Sequence, residues 1–181
     1  MLTDAQKQQL LQVAHAALEA VVQGQRLPEP HTDDPALLEE RGAFVTLKRH
    51  GELRGCLGYV EGIMPLIEAV AENAAAAATR DPRFLPVRTE ELPEIAIEIS
   101  ALTPLEPVED PEHVEVGADG LMICLGPQRG LLLPQVPSEQ GWDREQFLEH
   151  TCRKAGLPPE TWQDPSAELF SFRAEVFGDE E

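Results

Sequence analysis

Apolar residues recur at helical spacing early in the chain, where Leu10, Leu11, Ala14, Ala17, Leu18, Val21 and Val22 fall on one stripe. Thr3 stands three places before Gln6, a reciprocal capping pattern, so the spacing predicts an amphipathic helix over residues 3–23. Residues 24–35, rich in proline and aspartate, predict a surface loop. Two strands are then predicted, at 43–49 and 52–60, turning at His50-Gly51, where glycine accepts a positive φ. Pro65 suits a helical first turn. Leu66, Ile67, Val70, Ala74 and Ala77 mark one face of the helix after it, which stops before Asp81-Pro82. Ile95, Ile97, Ile99 and Ala101 alternate with Glu94, Glu98 and Ser100, the period of a strand buried on one face.

An acidic, proline-punctuated connection leads to a second predicted hairpin, strands 121–125 and 130–136 about residues 126–130. A helix follows from an Asp143 cap, with Gln146 in the reciprocal position, to Ala155, and Gly156 ends it. Residues 167–177 supply the last strand. The order strand, strand, helix, strand therefore occurs twice, although the halves share no obvious sequence identity. This predicts an α+β fold of mostly antiparallel sheet with flanking helices and an internal duplication. With 181 residues, 42% of them hydrophobic, the chain can form a single domain, or two lobes of about 1–102 and 103–181.

Charge narrows the classes of function. The net charge of −19 repels polyanions and anionic membranes, so coating of bulk nucleic acid is disfavoured. No apolar run approaches the roughly 20 residues of a membrane helix, and no basic region followed by a hydrophobic segment opens the chain, so a soluble cytoplasmic protein is expected. The negative charge is unevenly spread: residues 1–90 carry a net −4 and residues 91–181 a net −15. Within the first half, Arg41, Lys48, Arg49 and Arg54 make residues 41–54 locally positive, as Arg80, Arg83 and Arg88 do for residues 80–88. Brought together, these windows form a pocket for a small anion; apart, their arginines merely pair with the surplus carboxylates.

The 3 cysteines differ in setting. Cys124 lies in the apolar run from Leu121 to Leu125, and Cys152 on the inward stripe of the last helix, so both fit core packing. His150 is two places from Cys152 and does not share its face. Cys56 stands between Gly55 and Gly58, two residues after Arg54. In a regular strand Arg54, Cys56 and Gly58 share a face, so that a guanidinium favours the thiolate and small neighbours leave room for a ligand. The same glycines also fit a bulge or a tight crossing, with the sulfur buried. The 5 histidines are scattered and no Cys-x-x-Cys occurs, so neither a metal site nor a cofactor is predicted.

Several segments are shared with a known family: Phe44-Val45-Thr46, the hexapeptide at 53–58, Asp81-Pro82-Arg83-Phe84, Val116-Gly117 with Gly120-Leu121, the run at 132–136, and Gly141-Trp142-Asp143. In this order they resemble the AMMECR family, whose prokaryotic members are called AmmeMemoRadiSam system protein A. The resemblance extends from about Phe44 to Phe177. It implies an internally duplicated α+β fold and association with a Memo-type protein and a radical-SAM-type protein, but it brings no assigned reaction. Three scattered cysteines do not supply the closely spaced thiolates of an iron–sulfur cluster, so this chain is not the radical enzyme. Leu57 replaces the family's usual isoleucine, a change that conserves volume. Asp119 stands where many relatives have histidine, so a mechanism requiring imidazole there fails in this chain.

Three functions fit these residues. In the first, Cys56 is nucleophile or covalent carrier in a transfer or modification step on a small anionic or nucleotide-like substrate. Arg54 favours its thiolate, Arg83 or Lys48 holds the anion, and Glu98, Asp119 and His50 are acid/base candidates. Asp81 and Glu98 have plainer roles as a turn cap and a solvated strand carboxylate, and His50 as a hairpin residue. In the second, the strand at 53–58 and the Pro134-Gln135 segment form a binding groove without turnover, a non-catalytic adaptor, with Trp142 either a partner anchor or a core plug. In the third, a single flipped or terminal nucleotide of RNA is bound against the overall charge.

Overall fold

The structure, a computed structural model, describes residues 1–179. Helix α1 (Asp4–Val22) begins at a complete capping box: the Thr3 hydroxyl accepts the Gln6 amide at 3.3 Å, and the Gln6 side chain accepts the Thr3 amide at 2.8 Å. A one-turn helix, α2 (Pro35–Leu38), begins at the last residue of the predicted loop. Asp34 accepts the Ala36 amide, and Pro35 sits in the first turn, where a missing N–H removes no helical bond. Strands β1 (Ala43–Arg49) and β2 (Glu52–Tyr59) form the predicted hairpin, with His50 at φ 53° and Gly51 at φ 76° in the left-handed conformations that a two-residue turn requires.

Helix α3 (Leu66–Thr79) and β3 (Ile95–Leu102) follow. Strand order in the first sheet is β2-β1-β3-β8, where β8 (Ala174–Gly178) is the last strand of the chain. Ala43, Val45 and Leu47 of β1 and Ile97 and Ile99 of β3 are buried in one core with α1 and α3. The remaining elements are β4 (Glu106–Pro107), β5 (Gly120–Leu125), β6 (Gln128–Leu132), α4 (Gln135–Gln140), α5 (Arg144–Lys154) and β7 (Glu168–Phe172). They make a sheet of order β4-β7-β5-β6 and a separate core that includes Leu121, Ile123, Phe147, Leu148, Cys152 and Leu169.

The chain divides into two compact units, residues 103–174 and the remainder. The second unit is thus an insertion between β3 and β8. Its entry and exit are joined by two bonds of 2.7 Å, from the Thr103 amide to the Arg173 carbonyl and from the Arg173 amide to the Thr103 hydroxyl.

The two units repeat one path. In each, the first strand of a hairpin is central, its partner lies on one side, and the strand after the helix lies on the other: β2-β1-β3 and β6-β5-β7. Each also has a glycine in the hairpin's second strand where helical backbone comes too close for a side chain. A Cβ at Gly55 would lie 2.2 Å from the Ala77 carbonyl oxygen of α3, and one at Gly130 would lie 2.2 Å from the Ala155 nitrogen at the end of α5.

Two predicted strands are corrected. The strand expected at 130–136 ends at Leu132, because Pro134 has helical dihedrals (φ −58°, ψ −31°) and leads into α4. The strand expected at 167–177 is two strands, β7 and β8, interrupted at Arg173. Among the described residues no helix is long and apolar enough to cross a membrane.

Candidate functional site

Strand register decides where Cys56 points. Next to the turn, Arg49 pairs with Glu52 and Lys48 with Leu53; then a bulge leaves Arg54 without a partner, and Leu47 pairs with Gly55. A regular hairpin would set Cys56 opposite Val45, a fully buried core residue. The extra residue instead sets it opposite Thr46, on the other face of the sheet. Cys56 is accordingly half-buried and the glycine before it is buried. Thr46 in turn pairs with Glu98, so Cys56, Thr46 and Glu98 form one row across three strands.

The contacts of this row are specific. The Thr46 hydroxyl donates to Cys56 Sγ at 3.2 Å. The Cys56 amide points away from β1 and donates to Asp81 Oδ2 at 2.9 Å, which makes Thr46–Cys56 a non-hydrogen-bonded pair with closely spaced side chains. Asp81 also grips Arg83 in a fork, with Nε to Oδ1 at 3.0 Å and Nη2 to Oδ2 at 2.7 Å. That fork above all, helped by the Cys56 and Arg83 amides, holds the buried Asp81 carboxyl well below the usual carboxylate range despite desolvation. The Arg83 pKa is raised, first by its hydrogen bonds to Asp81 and then by the charges of Asp81 and Cys56. Lys48, on the same face of β1 as Thr46, bonds Glu98 at 2.8 Å.

Arg54 does not take the role expected of it. As the bulged residue it breaks the alternation that would have aligned it with Cys56, and its guanidinium is committed elsewhere. Nε and Nη2 bond the two oxygens of Glu91 at 2.9 and 3.0 Å, and Nη1 bonds the Leu85 carbonyl at 2.9 Å. Glu91 is buried and also receives Arg49 and the Arg88 amide; chiefly through Arg54, its pKa is pushed down to about 2. Arg41 is likewise buried, bonded to the Leu102 carbonyl and paired with Glu175. Arg41 and Arg54 are therefore internal scaffolding, whereas Arg80, Arg83 and Arg88 of the second window are exposed, and of these Arg83 shares the Asp81 carboxylate with the Cys56 amide.

A family model described as AMMECR1 matches residues 11–177. The chain belongs to the AMMECR1 family. A protein of Thermococcus gammatolerans is 48% identical over 182 residues, covering 94% of this chain and 89% of its own length. One from Methanothermobacter thermautotrophicus is 48% identical over 177 residues, covering 93% and 91%. The crystal structure of uncharacterized protein PH0010 from Pyrococcus horikoshii is similar with a TM-score of 0.78 and 43% identity, covering 94% of this chain and 90% of that one.

The duplicated strand path of this chain supplies an internal control for the row. The glycine rows correspond, Gly55–Leu47–Ile97 in one unit and Gly130–Ile123–Leu169 in the other. One step along, Cys56–Thr46–Glu98 is matched by Leu131–Met122–Phe170. The same fold is thus built with apolar side chains at the positions where the first unit has a thiol, a hydroxyl and a carboxylate.

The other expected site residues lie in the second unit. Asp119 is buried, with Oδ1 accepting Arg173 Nε at 3.0 Å and Oδ2 accepting the Glu115 amide at 2.9 Å, so both oxygens serve local structure. It lines a cleft of about 280 Å³ with Pro107, Asp110, His113 and Ser171. Gln135 is exposed as the first residue of α4. Cys152 is fully buried and burial pushes its thiol up; Cys124 is raised by burial and by Glu168. His150 stacks on Trp142 with ring centroids 3.8 Å apart, and Trp142 packs against the second core. His50 is an exposed turn residue 3.4 Å from Glu94. No group of three His, Cys, Asp or Glu residues able to hold a metal occurs among the described residues.

Sequence reasoning missed Thr46 and Glu91 and gave Asp81 only the role of a cap. Thr46 follows from Cys56 once the bulge is known. Glu91 stands beside the exposed Glu90, and nothing local distinguishes the two.

Proposed function

We propose that this AMMECR1-family protein carries out a cysteine-dependent transfer or modification step on a small anionic or nucleotide-like substrate, together with Memo-type and radical-SAM-type proteins. The observation that carries this reading is the polar row itself: the second unit forms the corresponding row from leucine, methionine and phenylalanine, so the fold does not require Cys56, Thr46 and Glu98. After the thiol has given its proton to water, the sulfur bonds to the electrophilic atom of the substrate while the leaving group departs with its bonding electrons. A second nucleophile then displaces the thiolate. Thr46 donates a hydrogen bond to the sulfur, Arg83 receives the anionic group, and the Lys48–Glu98 pair lies on the same face as the acid/base candidate. The cytoplasm suits this chemistry, since all three cysteines are free thiols.

The adaptor reading, in which a partner strand adds to residues 53–58, has less support. Along the outer edge of β2 the Asp81 carboxylate takes the Cys56 amide, and the Arg54 guanidinium is bonded to the carbonyls of Leu85 and Pro86. The discriminating experiment mixes the chain with its Memo-type and radical-SAM-type partners and follows modified small molecules by mass spectrometry. Cys56→Ser is expected to keep partner binding and lose product; unchanged product formation by this variant would refute the cysteine step.

A further inference from the structure

We infer that Arg83, positioned by Asp81, makes Cys56 selective for electrophiles that carry a negative charge, a small carboxylate or phosphate beside the reacting atom. This rests on Cys56 acting as the nucleophile on an anionic substrate, and it adds where the charge must lie, beside the reacting atom and against the exposed side of Arg83. A thiol on a surface of net charge −19 should ordinarily repel anions. At Cys56 the local arrangement reverses that sign.

The reversal comes from depth. Asp81 and Arg83 cancel in formal charge, yet the Asp81 side chain is 2% exposed and that of Arg83 is 55% exposed. The carboxylate lies beneath and the guanidinium faces solvent. A single oxygen, Asp81 Oδ2, accepts both Arg83 Nη2 and the Cys56 amide, so those two donors lie within about 6 Å of each other. Nε and Nη2 are held by Asp81, whereas Nη1 makes no hydrogen bond among the described residues and is available to an incoming oxyanion. Arg54 cannot substitute, because its side chain is 16% exposed and its nitrogens are engaged by Glu91 and by carbonyls.

Iodoacetate and iodoacetamide test this directly, because they undergo the same reaction and differ in charge. The sulfur forms a bond to the methylene carbon, the carbon–iodine bond breaks, and iodide leaves with the electron pair. Both reagents consume the same thiolate, so the ratio of their rates cancels its abundance. Rates at Cys56 are read from the alkylated peptide by mass spectrometry and referred to the neutral thiol N-acetylcysteinamide. One positive charge about 6 Å from the reagent's carboxylate corresponds to roughly a threefold preference in a water-like dielectric, and the buried Asp81 carboxylate behind it offsets part of that, so a preference of about twofold to threefold is expected. The iodoacetate/iodoacetamide ratio is therefore expected to exceed the model thiol's by that factor, to fall to or below it in Arg83→Gln, and to be retained in Arg83→Lys.

A measurement on the unaltered protein covers the case in which a variant fails to fold. Raising the salt should lower the ratio by screening an attraction. A ratio at or below the model thiol's, a ratio that rises with salt, or one unchanged in Arg83→Gln overturns the inference while leaving the cysteine reading in place. Failure of Cys56 to react with either reagent overturns the cysteine reading and this inference with it.

Discussion

Replacing Gly55 by alanine tests whether the glycine beside the cysteine serves the architecture or a ligand. The added methyl would sit 2.2 Å from the carbonyl oxygen of Ala77 and 3.2 Å from its carbonyl carbon. Carbon and oxygen in contact stand a little over 3 Å apart, so β2 or α3 must retreat by about 1 Å. Both neighbouring atoms are helix backbone, and no side chain can swing away. The retreat opens the contact through which Ile67, Val70, Ala74 and Ala77 reach the first core. Overpacking of this kind costs about 1–3 kcal/mol, and with rigid backbone on both sides the upper end is expected. With a urea m-value of about 2 kcal/mol/M, the midpoint should fall by roughly 1.5 M. Far-UV circular dichroism is the suitable probe, because Trp142 and Trp162 both belong to the inserted unit and their fluorescence reports on that unit. A Gly55→Ala variant within about 0.5 kcal/mol of the parent, with an unchanged m-value, would refute the steric assignment and return the glycine to the ligand.

Two further outcomes are expected from side chains around the site. The carboxyl of Glu91 is lowered from 4.5 to about 2, so its contribution is fully present above pH 4.5 and is lost as pH falls through 2. That contribution is on the order of 3 kcal/mol. Urea titrations at successive pH values should show a steeper loss of stability below pH 4.5 in the parent than in Glu91→Gln, and parallel profiles would contradict the assignment. Thr46→Val keeps the branched shape but removes the donor to Sγ, so iodoacetamide should alkylate Cys56 about threefold to tenfold more slowly at neutral pH. Thr46→Ser should restore the rate, and equal rates in parent and valine variant would remove Thr46 from the site.

Local signals were read correctly where the determinants are local. The Thr3/Gln6 and Asp143/Gln146 pairs form complete capping boxes, and His50-Gly51 forms the tight turn. The repeated strand-strand-helix-strand order needed only periodicity. The site was less accessible because one extra residue changes every face beyond it. Counting alternation through Arg54 aligns that arginine with Cys56, whereas the bulge aligns Cys56 with Thr46 and frees Arg54 for Glu91. The glycines of the hexapeptide allow a bulge without fixing its place, since Gly55 itself is required by a helix more than twenty residues away. Glu91 and Asp81 depend on partners 37 and 25 positions distant, and such pairings arise only when the chain has folded.

The neck between Thr103 and Arg173 has an engineering consequence. A guest segment that leaves and re-enters its host through one bonded pair of residues can be exchanged without rewiring the host's strands. Chimeras that keep residues 1–102 and the final strand, and borrow the intervening cassette from an archaeal relative, would inherit the thiol from one parent and the acidic cleft from the other. The activity of such hybrids would assign each contribution to its own half of the molecule.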